Sequence, residues 1–370
     1  MKIGLLIGGL GQGGAERQMV QLARGLRTRG HEVEVVLYAG DTHGAQALRE
    51  EGIQATCLGS TSKFGKVSAV RRWVKVAHPD LIHGVMKRAS SVAIFANLPQ
   101  QHARVVATDM STASYGWHKP VLWGALALYA FADVVVTQTD TNRRNLQRLA
   151  PWLKGRARVI RNGVDTERFR PAEGLRRADP FRFVSVGTVY RVKNPVRVVE
   201  AVHCLRQRGH RDFVLEWYGR PGLSANGMPS MEYRQAHDLV DKLGLAAHMR
   251  FMGPRHDIER AYQAADGLVH VSVQEGIPNA VVEGMACGLP VVVSRVSDLP
   301  LIVQEAKNGF VCDERRPESI ADAMEALMRV SLEERKAMGR RSRELAVRWF
   351  GMERFVGEFE ALYQELINRR

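Results

Sequence analysis

Gly267-Leu-Val-His-Val-Ser-Val-Gln-Glu-Gly-Ile-Pro-Asn-Ala-Val-Val-Glu-Gly-Met-Ala-Cys-Gly-Leu-Pro-Val-Val-Val293 is the stretch that decides the fold. Its ends, Gly267–Val271 and Pro290–Val293, are short apolar runs of the kind that buried parallel strands show. Its middle reads as a helix opened at Pro278, which suits the first helical position because the N–H it lacks would have had no partner there. Strand, helix and strand in this order make one unit of an open α/β sheet.

The same stretch carries chemistry. Glu275 precedes the helix and Glu283 lies on it, eight residues further on. The N–H groups near Gly276 and Ile277 stand at the positive end of the helix dipole and offer an anion site. Two carboxylates flanking such a turn accept hydrogen bonds from sugar hydroxyls on either side of a diphosphate. A nucleotide-sugar demands that geometry.

Outward from this unit, strand-like runs alternate with amphipathic helical stretches along the whole chain. In the first half the runs include Ile3–Ile7, Val33–Tyr38, Leu81–Val85, Val105–Thr108 and Val134–Thr137. Phe183–Val186 and Phe213–Trp217 precede Gly267–Val271 in the second half. The pattern runs twice, so two Rossmann-like, doubly wound α/β domains are expected, facing a central cleft with their strand carboxyl ends. A length of 370 residues also favours two cores over one. The polar, proline-bounded stretch from Arg170 to Pro180 is the best linker, which puts the domains at 1–172 and 173–349. From about Ser331 to Arg370 the chain reads as helix throughout, with Trp349, Phe350, Phe355, Phe359 and Tyr363 spaced to pack on something.

Composition bounds the function. Lys and Arg total 53 against 39 acidic residues, a net charge of +14. Such a balance favours nucleic acid, anionic lipid or phosphorylated substrates. No nucleic-acid motif accompanies the charge, and none is expected as a partner. Cys57, Cys204, Cys287 and Cys312 are scattered without metal spacing, as in a reducing, cytoplasmic setting. The longest apolar run, Val121 to Val136, contains Asp133 and is short for a bilayer span. No Asp-x-Asp pair occurs, so no carboxylate pair is offered to a metal on a diphosphate, and neither a metal nor a tightly bound cofactor is expected.

Each remaining motif has a functional and a plain reading. Gly9-Leu-Gly-Gln-Gly-Gly14 matches a dinucleotide turn, with Asp41 as its ribose acid; it is equally a strand-to-helix turn, or a place where Gly13 and Gly14 let backbone approach a phosphate or sugar. Val184-Ser-Val-Gly-Thr-Val-Tyr-Arg-Val-Lys-Asn-Pro195 carries Gly187, Arg191 and Lys193 at a strand end, where cations would neutralise a diphosphate from its other side; alone, they read as two solvated residues. Phe251-Met-Gly-Pro-Arg-His-Asp-Ile258 is a turn that holds a planar base beside Arg255 or His256, or a plain turn with Asp257 capping a helix. The basic stretch Lys63–Lys75 reads as an outer helix on the sheet, or as one lying on an anionic membrane.

Taken together these residues resemble the retaining glycosyltransferases of family 4, which have the two-domain GT-B fold. The resemblance rests on Gly13-Gly-Ala-Glu16, Pro79-Asp-Leu-Ile-His83, Arg161-Asn-Gly-Val-Asp-Thr-Glu-Arg-Phe-Arg-Pro171, the loop from Gly187 to Lys193-Asn194, Ala265-Asp-Gly-Leu-Val-His-Val-Ser272, and the paired glutamates of Glu275-Gly-Ile-Pro-Asn…Glu283-Gly-Met-Ala-Cys-Gly-Leu-Pro-Val-Val. It covers nearly the whole chain in order. The resemblance implies that Glu283 holds the donor ribose and Glu275 the transferred sugar. Gly276 and Ile277, with Pro278 and Asn279 behind them, would meet the diphosphate, and Lys193 would neutralise it. Gly13, Gly14, Gly187 and Arg255 complete the donor set. It also implies that the last helix, 350–370, packs back on the first domain. Where the family has arginine just after the glycine, this chain has Thr188, and Arg191 takes its place among the catalytic candidates. Where the family has a histidine soon after Val105–Thr108, this chain reads Thr108-Asp-Met-Ser; Asp109 and the later His118 are the acceptor-side candidates.

The expected enzyme moves a hexosyl or N-acetylhexosaminyl group from a nucleoside diphosphate-sugar, UDP-sugar before GDP-sugar, to a hydroxyl of a lipid-linked or polysaccharide acceptor. The resemblance places it in cell-envelope or exopolysaccharide synthesis, in the cytoplasm or at the inner face of the cell membrane, with peripheral contact to anionic lipid. A sugar-nucleotide epimerase or phosphorylase of similar fold would reuse the anion site; an NAD-dependent Rossmann oxidoreductase would rest on Gly9–Gly14 alone.

Overall fold

A computed structural model of the chain describes residues 1–11, 13–39, 43–59, 62–99, 101–109, 120–172, 180–224 and 226–369, without the side chains of residues 43, 63 and 120–122. His118, Asp41 and part of the 170–180 stretch lie outside the described residues. The chain forms two compact units: Met1–Gly163 with Met352–Arg370, and Val164–Gly351.

The first unit is built on strands β1 (Lys2–Ile7), β2 (Glu32–Leu37), β3 (Gln54–Cys57), β4 (Leu81–Gly84), β5 (Arg104–Asp109), β6 (Val134–Thr137) and β7 (Ala157–Val159). They pair in the order β3-β2-β1-β4-β5-β6-β7, every pair parallel. Side chains alternate across the sheet. Ile3, Leu5 and Ile7 join one core with residues of the helices Gly14–Thr28 and Met352–Asn368, whereas Leu6, Val36 and Ile82 join the other with Val70, Trp73 and Val74. Both faces are covered, which is why the central strands read as unbroken apolar runs.

The basic stretch from Lys63 is thus an outer helix, Lys63–Ala77, fixed through its buried Val70, Trp73 and Val74. Arg71 on its surface is tied down too, donating to the carbonyls of Phe95, Ala96 and Leu98. The apolar run around Val121 divides into the helix Pro120–Leu128 and β6. Among the described residues no helix is long and apolar enough to cross a membrane. The four cysteines carry free thiols, and burial pushes the Cys312 thiol up to about 12.

The tail is not one helix. Leu332–Phe350 ends at Gly351, which is extended (φ −57°, ψ 142°), and Met352–Asn368 follows. Phe350 is buried in the second unit, whereas Phe355, Phe359 and Tyr363 enter the first unit's core. The Tyr363 hydroxyl lies 2.7 Å from His83 Nδ1, and His83 Nε2 lies 2.5 Å from Thr108 Oγ1. Burial holds that histidine neutral, its pKa lowered to about 3.

The second unit holds β8 (Phe181–Val186), β9 (Phe213–Tyr218), β10 (Met249–Gly253), β11 (Gly267–His270), β12 (Val291–Ser294) and β13 (Gly309–Cys312) in the order β10-β9-β8-β11-β12-β13, again all parallel. It begins at Val164, ahead of the polar stretch that the composition marks as a linker. Physical ties explain the earlier break. The Val164 N–H donates to the Phe350 carbonyl at 2.6 Å, Phe169 packs on Tyr262, and Arg343 Nη1 donates to the carbonyls of Thr166 and Phe169.

In each sheet the strand order reverses beside the first strand of its unit, between β1 and β4 and between β8 and β11. Open α/β sheets hold their ligands outside the strand carboxyl ends at such a point, where diverging loops leave a crevice. The loops after β8 and β11 are those carrying Gly187–Lys193 and Glu275.

Candidate active site

From β11 the chain passes through Val271–Pro278 into the helix Asn279–Ala286. Pro278 is the N-cap residue, extended at φ −68° and ψ 122°, so the first helical position belongs to Asn279 rather than to the proline. Val281, Val282, Met285 and Ala286 pin the helix to the core. It stops in a Schellman motif: the Leu289 N–H donates to the Gly284 carbonyl and the Gly288 N–H to that of Met285, with Gly288 at φ 76°. Glu283, on this helix, is only 6% exposed, and the Tyr262 hydroxyl donates to its Oε2 at 3.0 Å. A buried carboxylate aimed by a neutral hydroxyl keeps acceptor capacity for a ligand.

The facing wall follows β8. Gly187 has φ 143°, a region other residues rarely enter, and an added Cβ would stand 3.2 Å from Lys193 Cε. Arg191–Lys193 form a 3₁₀ turn, and Asn194 (φ 61°, ψ 42°) redirects the chain into the helix Pro195–Gln207. The Asn194 side-chain amide donates to the carbonyls of Val271 and Glu314, which ties this turn to the β11 loop.

Across the two loops Lys193 Nζ donates to Glu275 Oε1 in a close ion pair, with both side chains mostly buried. His270 Nε2 lies 3.4 Å from that carboxylate oxygen, 3.5 Å from Lys193 Nζ and 3.1 Å from Ser272 Oγ. Burial disfavours the Glu275 charge, but the hydrogen bond with His270 and the Lys193 charge outweigh it and hold the carboxyl at about 2. Burial first, then the Lys193 charge, lower the His270 pKa, so that ring is neutral and acts through hydrogen bonding. The site therefore pairs one fixed anion with one fixed cation, next to a helix N-terminus.

The structure brings Gly187, Lys193, Glu275, Gly276, Ile277, Pro278, Asn279 and Glu283 onto these adjoining elements. Arg191 is exposed on the same turn, and the hydrogen bonds and ion pairs that join Lys193, Glu275 and His270 do not include it. It stands outside the Lys193–Glu275 ion pair, on a 3₁₀ turn that points successive side chains apart. Arg255 follows β10 but forms a bidentate pair with Asp257 (2.7 and 3.0 Å), its guanidinium 6.0 Å from the Tyr218 ring. Asp257 occupies the N-cap position of Ile258–Ala264 without a capping hydrogen bond, because Arg255 holds its carboxylate.

Gly13, Gly14 and Asp109 belong to the first unit, at the carboxyl edge of its sheet. Gly13 is the N-cap of Gly14–Thr28, and a Cβ there would stand 2.1 Å from Glu16 Oε2. Asp109 is buried, accepts from the Tyr129 hydroxyl at 3.3 Å and lies 3.7 Å from Lys87 Nζ. Sequence reading quoted His270, Ser272 and Asn194 within motifs but gave them no role, and passed over Tyr262. A histidine inside the apolar run Leu268-Val-His-Val was the one local signal available. Among the described residues no group of three or more His, Cys, Asp and Glu side chains is placed to hold a metal ion.

Residues 12–168 match the family Glycosyltransferase Family 4, and residues 166–345 match Glycosyl transferases group 1. D-inositol 3-phosphate glycosyltransferase of Saccharomonospora viridis is 31% identical over 256 residues, 65% of this chain and 58% of that protein. The Corynebacterium urealyticum protein of the same name is 28% identical over 247 residues, 64% of this chain and 57% of that protein. The chain thus spans 57–58% of the length of these relatives. The crystal structure of Anabaena Alr3699/HepE in complex with UDP superposes with a TM-score of 0.85 at 20% identity, covering 99% of this chain and all of that one. The fold is of the GT-B class, with two parallel-sheet α/β domains. These matches lend the epimerase alternative no support.

Proposed function

We propose that this chain, a GT-B protein with a family 4 region followed by a group 1 region, moves a hexosyl or N-acetylhexosaminyl group from a nucleoside diphosphate-sugar to a hydroxyl, with retention of configuration. The observation that carries the reading is the Lys193–Glu275 pair at the β8/β11 switch point, with Glu283 held on the next helix. The diphosphate draws Lys193 and meets the N-terminus of Asn279–Ala286 through the Gly276–Asn279 backbone. Glu275 and Glu283 accept from hydroxyls of the sugar and the ribose on either side. Catalysis is then mostly positioning and stabilisation of charge on the departing diphosphate, which accepts the acceptor's proton as it leaves.

UDP is the favoured nucleotide, supported by the UDP complex of the similar fold. For the acceptor, the relatives' names point to a phosphorylated hydroxyl compound, and the net charge of +14 suits one. A lipid-linked acceptor at the inner face of the cell membrane is the second element of the proposal. It draws on the helix Lys63–Ala77, where Phe64 (90% exposed) and Val76 (83%) stand among Arg72 and Lys75. Co-sedimentation with anionic vesicles at low salt is expected; protein left wholly in the supernatant would remove this element and leave the donor site standing.

A thermal-shift panel of UDP, GDP, ADP and NAD⁺ tests the donor assignment. One nucleoside diphosphate is expected to raise the Tm, and Glu283→Ala to abolish that rise. A rise with NAD⁺ alone would overturn the reading.

A further inference from the structure

We infer that His270 is a positioning residue that holds Lys193 and Glu275 in register for the donor diphosphate, an inference that rests on the proposed donor site. The ring is 4% exposed at the carboxyl end of β11, in a position where an apolar side chain would continue Leu268 and pack at no polar cost. A buried imidazole is expensive unless its nitrogens are satisfied. Here Nε2 faces the pair itself, within 3.5 Å of both Glu275 Oε1 and Lys193 Nζ, with Ser272 Oγ closing the third side at 3.1 Å. The Ser272 carbonyl in turn accepts from the Ser294 hydroxyl at 2.7 Å, which fixes this corner to β12.

The pair needs such a third group because its members come from loops 82 residues apart, and lysine is a flexible point charge. A neutral imidazole nitrogen serves as acceptor or donor according to its tautomer. With Lys193 on Glu275, Nε2–H donates to the same carboxylate, 3.4 Å from its Oε1. Once a diphosphate draws Lys193 away, Nε2–H still donates to the carboxylate that has lost its cation. His270 thus lets Lys193 change partners without leaving a buried carboxylate unsatisfied, and keeps Glu275 aimed at the sugar. A lysine or arginine there would compete for the carboxylate; a leucine would leave it bare.

A double-mutant cycle tests this, with UDP affinity measured by calorimetry on wild type, H270L, H270Q, K193M and K193M/H270L. If the thermal-shift panel selects GDP or ADP, that nucleotide replaces UDP. H270L is expected to weaken binding about tenfold in the wild-type background and less than about twofold in K193M. H270Q, whose amide offers a donor and an acceptor, should stay within about threefold of wild type. The Tm of ligand-free H270L should not fall, since an apolar residue then fills the buried position. Wild-type affinity in H270L, equal losses in both backgrounds, or no recovery with glutamine would overturn the positioning role while K193M still binds weakly. If K193M binds like wild type, or no nucleotide binds at all, the donor-site reading fails and takes this inference with it.

Discussion

Lys193→Met is expected to lower sugar-nucleotide turnover by about 10²–10³-fold, the loss typical when one preorganised stabiliser of developing charge is removed. Methionine keeps the length of the side chain and its packing below Gly187, so the change isolates the charge. In the protein as it stands Lys193 neutralises Glu275, and the proposed diphosphate takes over that cation. Arg191, exposed on the same turn, takes no part in that ion pair. Nucleoside diphosphate release from the sugar-nucleotide that the protein binds is the readout. Release within about threefold of wild type would show that the leaving group is stabilised elsewhere.

Gly187→Val is expected to destabilise the second unit and to abolish nucleotide binding. At φ 143° a side chain is strained whatever the space, at about 1–3 kcal/mol. Relaxation is blocked on three sides. The Gly187 N–H donates to the Tyr218 carbonyl and the Trp217 indole donates to the Gly187 carbonyl, both at 2.9 Å. Gly219 packs so closely that a Cβ on it would fall 2.0 Å from the Gly187 oxygen. An added valine therefore pushes on Lys193 rather than moving the loop. For a unit of this size a few kcal/mol corresponds to a Tm fall of roughly 4–10 °C. A variant with unchanged Tm and unchanged UDP response would contradict the packing described here.

The central strands of both sheets were legible because burial on both faces makes them continuous apolar runs, as in Val134–Thr137 and Val291–Ser294. The four edge strands were not. Gln54–Cys57, Ala157–Val159, Met249–Gly253 and Gly309–Cys312 pair on one side only, are short, and carry polar residues or glycine that blur their pattern. Doubling of the pattern was readable; the point where one unit ends was not, since the tie of Val164 to Phe350 joins residues far apart in the chain.

The site divides in the same way. Glu275, Pro278 and Glu283 stand in one strand-loop-helix unit, so their spacing alone placed them around a helix N-terminus, with the proline misplaced by a single position. Lys193 was found by its position after a strand and its role by resemblance. His270 and Tyr262 act through space on the two glutamates, and nothing local in Ala261-Tyr-Gln or Leu268-Val-His announces the partner. Arg255, a donor-side candidate in the sequence, is paired with Asp257 two residues away, a partner that the local sequence does display.

Hydrogen–deuterium exchange with and without saturating UDP, or the nucleotide that the thermal-shift panel selects, locates the donor site most directly. Slowed exchange over residues 187–194 and 270–283 is the predicted result, since these segments supply the backbone and side chains assigned to the diphosphate, sugar and ribose. Nucleotide-dependent protection confined to other segments, with 187–194 and 270–283 unchanged, would contradict the account.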